Sequence, residues 1–310
     1  MLDDMTPGTG GWIWIPIVLA AAAAQTIRNA AQRSLVASVG TLPATMVRFV
    51  YGLPFAVAAL VAIGVASPQR LPAADSAFVA WVALGAVAQI AATAFLIAAM
   101  ERRSFVVAVV FSKTEILQVG IYSVVLLGES LPASAVIAIA LGSAGVVLLS
   151  IRSPIERGTR LSAWVSPAVA LGLASGAGFA LSAVGYRAAT LALREPQPWI
   201  AGVYALVWAQ AIQSGLLGAY LALRDRARLL QVMAQWRVST LAGLMGALAS
   251  MGWFTAFAMR SAVDVRVVGL VEVIYSYALS RRYFVESVTA REVWGMVLVV
   301  IGIVVISAAP

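Results

Sequence analysis

Apolar residues in this chain gather into ten uninterrupted blocks. Each is about 18 to 25 residues long, the length that crosses the hydrocarbon core of a bilayer as helix. A soluble chain carries roughly a quarter charged residues; this one, of 310 residues, is 11% charged and 62% hydrophobic. So many blocks cannot all be interior to a soluble helical protein. They are also too long and too continuous for the short alternating strands of a membrane barrel. Backbone in lipid must satisfy its hydrogen bonds within the chain, so the blocks are read as helices. The expected spans are approximately 12–32, 43–66, 77–99, 105–127, 133–151, 163–190, 199–223, 238–259, 265–281 and 290–308. The fold class is an all-α polytopic membrane protein with ten transmembrane helices.

Several function classes drop out on composition. The chain has neither cysteine nor histidine, which removes the usual zinc ligands, thiol chemistry and the commonest general base. No cofactor and no metal is expected. No Gly-x4-Gly-Lys-Ser/Thr loop is present for ATP. The net charge of +8 is read as arginines facing anionic lipid rather than nucleic acid. Met1–Gly11 has two aspartates and no basic residue, the wrong flank for a cleaved signal peptide, so the first span is expected to stay.

Within the blocks stand two carboxylates, Glu115 and Glu272, each followed fourteen residues later by another, Glu129 and Glu286. Intramembrane carboxylates are costly and are functional by default. Laying Glu115–Ser150 over Glu272–Ser307 also pairs Ala133 with Ala290, Gly145 with Gly302 and Ser150 with Ser307. The chain is therefore read as a duplication: a repeat over 1–151, a connecting loop over 152–161 and a second repeat over 162–310. Five crossings per repeat would invert the second against the first, with a polar site between them.

The site residues follow from helical spacing. Glu115 is the leading candidate, with Gln118 and Tyr122 expected on its face; Glu272 is its counterpart, with Tyr275 and Ser276. If both acids face one cavity, mutual repulsion favours a shared proton or a bound cation. Lys113 and Arg48 would balance them, which suits a zwitterion, or would neutralise the empty cavity. Gln25, Arg28 or Asn29, and Gln32 form a stripe on the first span, a cavity lining or an end-of-helix interfacial stripe. Gln89 with Thr93, and Ser250 with Trp253 and Phe254, are further wall candidates, Trp253 being equally readable as lipid-facing packing. Glu129 and Glu286 are read as structural, closing salt bridges with loop arginines such as Arg281 or Arg291. Gly142, Gly145, Gly295 and Gly302 suit close helix packing, as a scaffold or a dimer face.

Loop arginines set the orientation. Arg28, Arg33, Arg102, Arg103, Arg152, Arg157, Arg160, Arg224, Arg226, Arg228, Arg237, Arg281, Arg282 and Arg291 fall on one side, against Arg70, Arg194, Arg260 and Arg266 on the other. The positive-inside rule puts the first group in the cytoplasm and both termini outside.

Two stretches resemble the EamA-type members of the drug/metabolite transporter superfamily: Pro43-Ala-Thr-Met-Val-Arg48-Phe-Val, and the Leu127-Gly128-Glu129 turn leading into a helix with Gly142 and Gly145. Arg282-Tyr-Phe-Val-Glu286 is similar to the same turn in degraded form. The resemblance implies ten helices in two inverted repeats and a secondary transporter of small metabolites, often an exporter, in the inner membrane. Two features depart from the family's pattern: Phe111-Ser-Lys113-Thr-Glu115 stands where proline is common, and the arginine bias opposes the usual cytoplasmic termini. The function expected is transport of an amino acid, amine or related cation or zwitterion, proton-coupled or exchanging, by alternating access. The alternatives are an anionic metabolite bound by Lys113 and Arg48, or a membrane enzyme using Glu115 and Glu272 as acid and base. The expected partners are the solute, protons as coupling ion and lipid, with the protein a monomer or weak homodimer.

Overall fold

The computed structural model describes residues 11–66, 70–102, 111–150, 167–284 and 289–308, and all regular structure among them is helical. The helices, in chain order, are α1 (Trp14–Val39), α2 (Thr41–Val50), α3 (Leu53–Ala66), α4 (Ser76–Arg102), α5 (Glu115–Leu127), α6 (Ala133–Ser150), α7 (Pro167–Ala192), α8 (Pro198–Arg224), α9 (Arg226–Ala234), α10 (Trp236–Met259), α11 (Ala262–Gly269), α12 (Val271–Phe284) and α13 (Ala290–Ser307). Among the described residues six stretches are long and apolar enough to cross a membrane: Thr41–Ala66, Ser76–Ala99, Val169–Ala192, Pro198–Arg224, Trp236–Met259 and Ala290–Ser307. Glu115–Leu127 and Ala133–Leu149 are apolar but shorter.

The expected ninth span is two helices, α11 and α12, parted at Leu270, and the fourth is interrupted by a turn at Lys113–Thr114 between helical Phe111–Ser112 and α5. The second is likewise divided, at Tyr51–Gly52. The first is longer than expected and runs to Val39. Its polar stripe therefore lies inside the helix, with Arg28 buried, which corrects both the interfacial reading and the placing of Arg28 in a loop. Polarity did not end this helix because α1 packs along α10, where protein rather than lipid receives it.

The chain divides into two compact units. The first comprises Met1–Phe78 and Ala189–Ser261, and so holds α1 to α3 and α8 to α10. In it α1 lies against α10 through Gly252, where a Cβ would sit 2.7 Å from that of Ala21, and α8 meets α10 through Gly202 at Thr255. Val18, Ala22, Met46 and Leu206 are sealed in its core. Phe78, Tyr204 and Trp208 form an aromatic cluster, Phe78 standing edge-on to Trp208 with ring centroids 5.9 Å apart.

The second unit comprises Val79–Ala188 and Ala262–Pro310. Its backbone is the pairing of α6 with α13. A Cβ at Gly145 would lie 2.6 Å from the carbonyl oxygen of Gly295, and one at Gly302 3.0 Å from that of Ala138. Such closeness is what small residues provide where water supplies no driving force between helices. These glycines thus serve a scaffold within the unit. Val146, Leu149 and Val299 are buried there, with Leu270, Val273 and Met296 against them.

Candidate functional site

Two helix starts build the site. α5 opens with Glu115 in its first turn and α12 with Glu272 in its first turn. Each follows a break, where backbone N–H groups lack intrahelical partners and the helix dipole favours a carboxylate. The break before α5 is packed tightly: a Cβ at Gly176 of α7 would stand 2.9 Å from the Ser112 carbonyl oxygen and 3.0 Å from Thr114 Oγ1. Thr114 Oγ1 itself donates to Phe111 O at 2.6 Å and accepts from Gln118 Nε2 at 2.9 Å. The break before α12 carries Leu270, whose side chain packs over Gly142 of α6.

Between these starts lies an open cavity lined by Lys113, Glu115, Ile116, Arg266, Gly269, Leu270, Glu272 and Val273. Glu115, Glu272 and Lys113, singled out in the sequence, thus meet at one place. The fourth charged residue, Arg266, was expected in a loop, and the structure corrects that. It sits in α11, and its guanidinium Nη2 forms an ion pair with Glu115 Oε1. The Glu115 side chain is 12% exposed and that of Arg266 25%. Glu272 also acts electrostatically on Arg266. Among the described residues Lys113 makes no hydrogen bond or ion pair, so its ammonium is a charge available to the cavity. The sequence did hold a signal for Arg266. It lies in Ala262-Val-Asp-Val-Arg266-Val-Val-Gly, and an arginine among valines is an intramembrane group rather than a loop one.

The remaining candidates lie elsewhere. Gln118 turns toward α7, its amide 3.4 Å from the Leu173 carbonyl, and Gln118, Tyr122, Tyr275 and Ser276 do not line this cavity. The reason is geometric: a carboxylate in the first turn points off the helix end, whereas residues three and seven further on follow its flank. Gln89 accepts a hydrogen bond from the Tyr186 hydroxyl at 3.2 Å. In the first unit Trp253 is buried and donates from Nε1 to Gln25 Oε1 at 3.0 Å, so it is not lipid-facing. Arg48 places its guanidinium 4.4 Å from the Phe49 ring centroid, and its Cβ lies beside Gly246 of α10, as does the Arg28 side chain.

The Leu-Gly-Glu turn has a local explanation. Gly128 takes φ +66, a left-handed conformation that favours glycine. Its N–H donates to Val124 O and the N–H of Glu129 to Ser123 O, which closes α5 with a left-handed glycine cap. The turn delivers Glu129 to Arg187 of α7, Nε to Oε1 at 3.1 Å. The partner is thus a helix arginine and not Arg281 or Arg291. Glu286 lies outside the described residues.

Comparison with known proteins agrees with this architecture. A solved protein crystal structure superposes with a TM-score of 0.69 at 20% identity, covering 94% of each chain, which shows a shared fold. No curated protein matches. The EamA-like transporter family matches over residues 12–151. That stretch includes both resembling motifs, and over it the chain is similar to the EamA-like transporter family, while the described residues hold six helices long and apolar enough to cross a membrane.

Proposed function

We propose that this protein is a secondary active transporter of a small zwitterionic or cationic metabolite, such as an amino acid or amine, in the cytoplasmic membrane. The observation that carries the reading is the cavity at the two helix starts, where Glu115, Glu272, Lys113 and Arg266 meet. A zwitterion finds a counter-charge for each pole there, an ammonium at a carboxylate and a carboxylate at a basic side chain. A dianion entering between two carboxylates has little to offset its lost hydration. The two broken helices stand at matching places of the 157-residue offset, which supports ten spans in two inverted repeats, over 1–151 and 162–310, working by alternating access. The same acids bind solute or proton, and exchange of the two yields net export under an inward proton gradient.

The test is flux of labelled amino acids and amines in proteoliposomes with and without an imposed pH gradient. The expected result is solute movement accelerated by the gradient. Chemical conversion without movement would overturn transport, and uptake confined to dicarboxylates or sugar phosphates would overturn the charge assignment.

A further inference from the structure

Arg266 belongs to the element that leads into Glu272, yet its ion pair is with Glu115 of the other broken helix. One arginine thereby serves both carboxylates, bonded to one and within the electrostatic reach of the other. The charged side chains lining the cavity are two acids and two bases, so the lining is formally neutral. We propose that Arg266 sets the charge selectivity of this cavity. When the cavity is empty it neutralises Glu115 from within; when a zwitterion arrives, the solute's cationic group takes Glu115 and Arg266 turns to the solute's anionic group. The inference rests on the cavity being the solute site.

The argument is one of charge pairing. Exchanging one internal ion pair for two pairs with a zwitterion leaves Glu115 and Arg266 each partnered and the cavity formally neutral. A solute bearing only an ammonium displaces Arg266 from Glu115 and leaves the cavity with one uncompensated positive charge. An unpaired charge in a poorly solvated site costs far more than a solvated one. The wild-type cavity is therefore built to favour a zwitterion over the amine of the same skeleton. Removing the guanidinium inverts this, because the lining is left with two acids and one base, which a simple cation neutralises. Lys113 cannot substitute for Arg266, since among the described residues it pairs with neither acid.

The experiment compares wild type, Arg266→Gln and Arg266→Lys in nanodiscs, measuring binding of amino acids, each beside its decarboxylated amine. Arg266→Gln should shift the amine-to-amino-acid affinity ratio toward the amine by about tenfold or more, the effect of one charge-assisted hydrogen bond. Arg266→Lys should return it most of the way. Should Arg266→Gln fail to fold because Glu115 is left alone, Glu115→Gln/Arg266→Gln removes the pair together and keeps the lining neutral. That protein should bind both solute types weakly, without preference. An unchanged ratio in folded Arg266→Gln, or wild-type preference in the double variant, overturns the role of Arg266 alone. Wild-type protein that binds neither solute class takes down the solute reading itself, and the role of Arg266 with it.

Discussion

The helix starts at Glu115 and Glu272 each carry a carboxylate in their first turn and are held in different ways. Glu115 is buried, ion-paired with Arg266, and follows a turn locked by Thr114 against α7. Glu272 is half-buried, and its preceding turn is covered by the side chain of Leu270. Both starts carry the same device, a carboxylate in the first turn of a helix that follows a break. Packing then made one a fixed pole and left the other beside softer surroundings. Equal position on a helix does not imply equal duty, and the two carboxylates should come apart under mutation.

The largest expected effect separates them directly. Glu115→Gln removes the carboxylate with which Arg266 is ion-paired. Truncating one side of a buried pair costs roughly 3–5 kcal/mol, and partial exposure of Arg266 brings the expectation to about 2–4 kcal/mol. Glu272→Gln should cost less stability. Each should nevertheless weaken zwitterion binding by about 10- to 100-fold, the loss of one charge-assisted contact. Thermal unfolding in detergent alongside binding measures both quantities. Equal destabilisation by the two changes would erase the distinction drawn between the helix starts.

The glycines opposite the two breaks offer the next test. At Gly176 a methyl group would meet backbone, the Ser112 carbonyl oxygen at 2.9 Å, so the break before α5 must shift. Gly176→Ala should cost about 1–3 kcal/mol, the usual range for overpacking. At Gly142 a methyl group meets only the Leu270 side chain, whose far end can swing away. Helix propensity favours alanine over glycine by about 0.5–1 kcal/mol, so Gly142→Ala should be close to neutral. The same thermal unfolding assay ranks them, and a costlier Gly142→Ala would show the α12 break to be the rigid one.

Much of the fold was legible because membrane helices announce themselves by apolar length. The breaks were not, for a physical reason. Val267-Val-Gly-Leu-Val-Glu272 is as apolar as the helices beside it, and a single glycine within it does not mark a break. Reading those stretches as continuous put Gln118, Tyr122, Tyr275 and Ser276 beside the carboxylates, whereas a first-turn residue points off the end. The same continuity placed the span boundary at 265, next to Arg266, so a half-buried helical arginine was counted with the loops. Glu115, Glu272 and Lys113 were legible because charge inside an apolar block stands out whatever the local geometry. Trp253 was ambiguous because its partner Gln25 lies 228 residues away in the chain, a pairing no local pattern reveals.

The smallest expected effects lie past the far ends of the same two half-helices. The end of α5 is tied to α7 by Glu129 and Arg187, whose side chains are 19% and 14% exposed. Such a pair falls between the exposed and buried limits, so a double-mutant cycle should give a coupling of about 1–2 kcal/mol. α12 is tied to α13 more lightly, by Tyr277 Oη donating to Glu292 Oε2 at 3.3 Å. That oxygen also accepts from the Thr289 N–H and hydroxyl, each at 2.9 Å, within a capping box that closes the start of α13. Glu292 therefore keeps its two shorter bonds when the phenol is removed. Tyr277→Phe should cost only about 0.5 kcal/mol, the low end for a single hydrogen bond, and should leave solute binding unchanged. A cost exceeding the Arg187–Glu129 coupling would mean that α12, not α5, is the firmly anchored half-helix, and would reverse which carboxylate is the fixed pole.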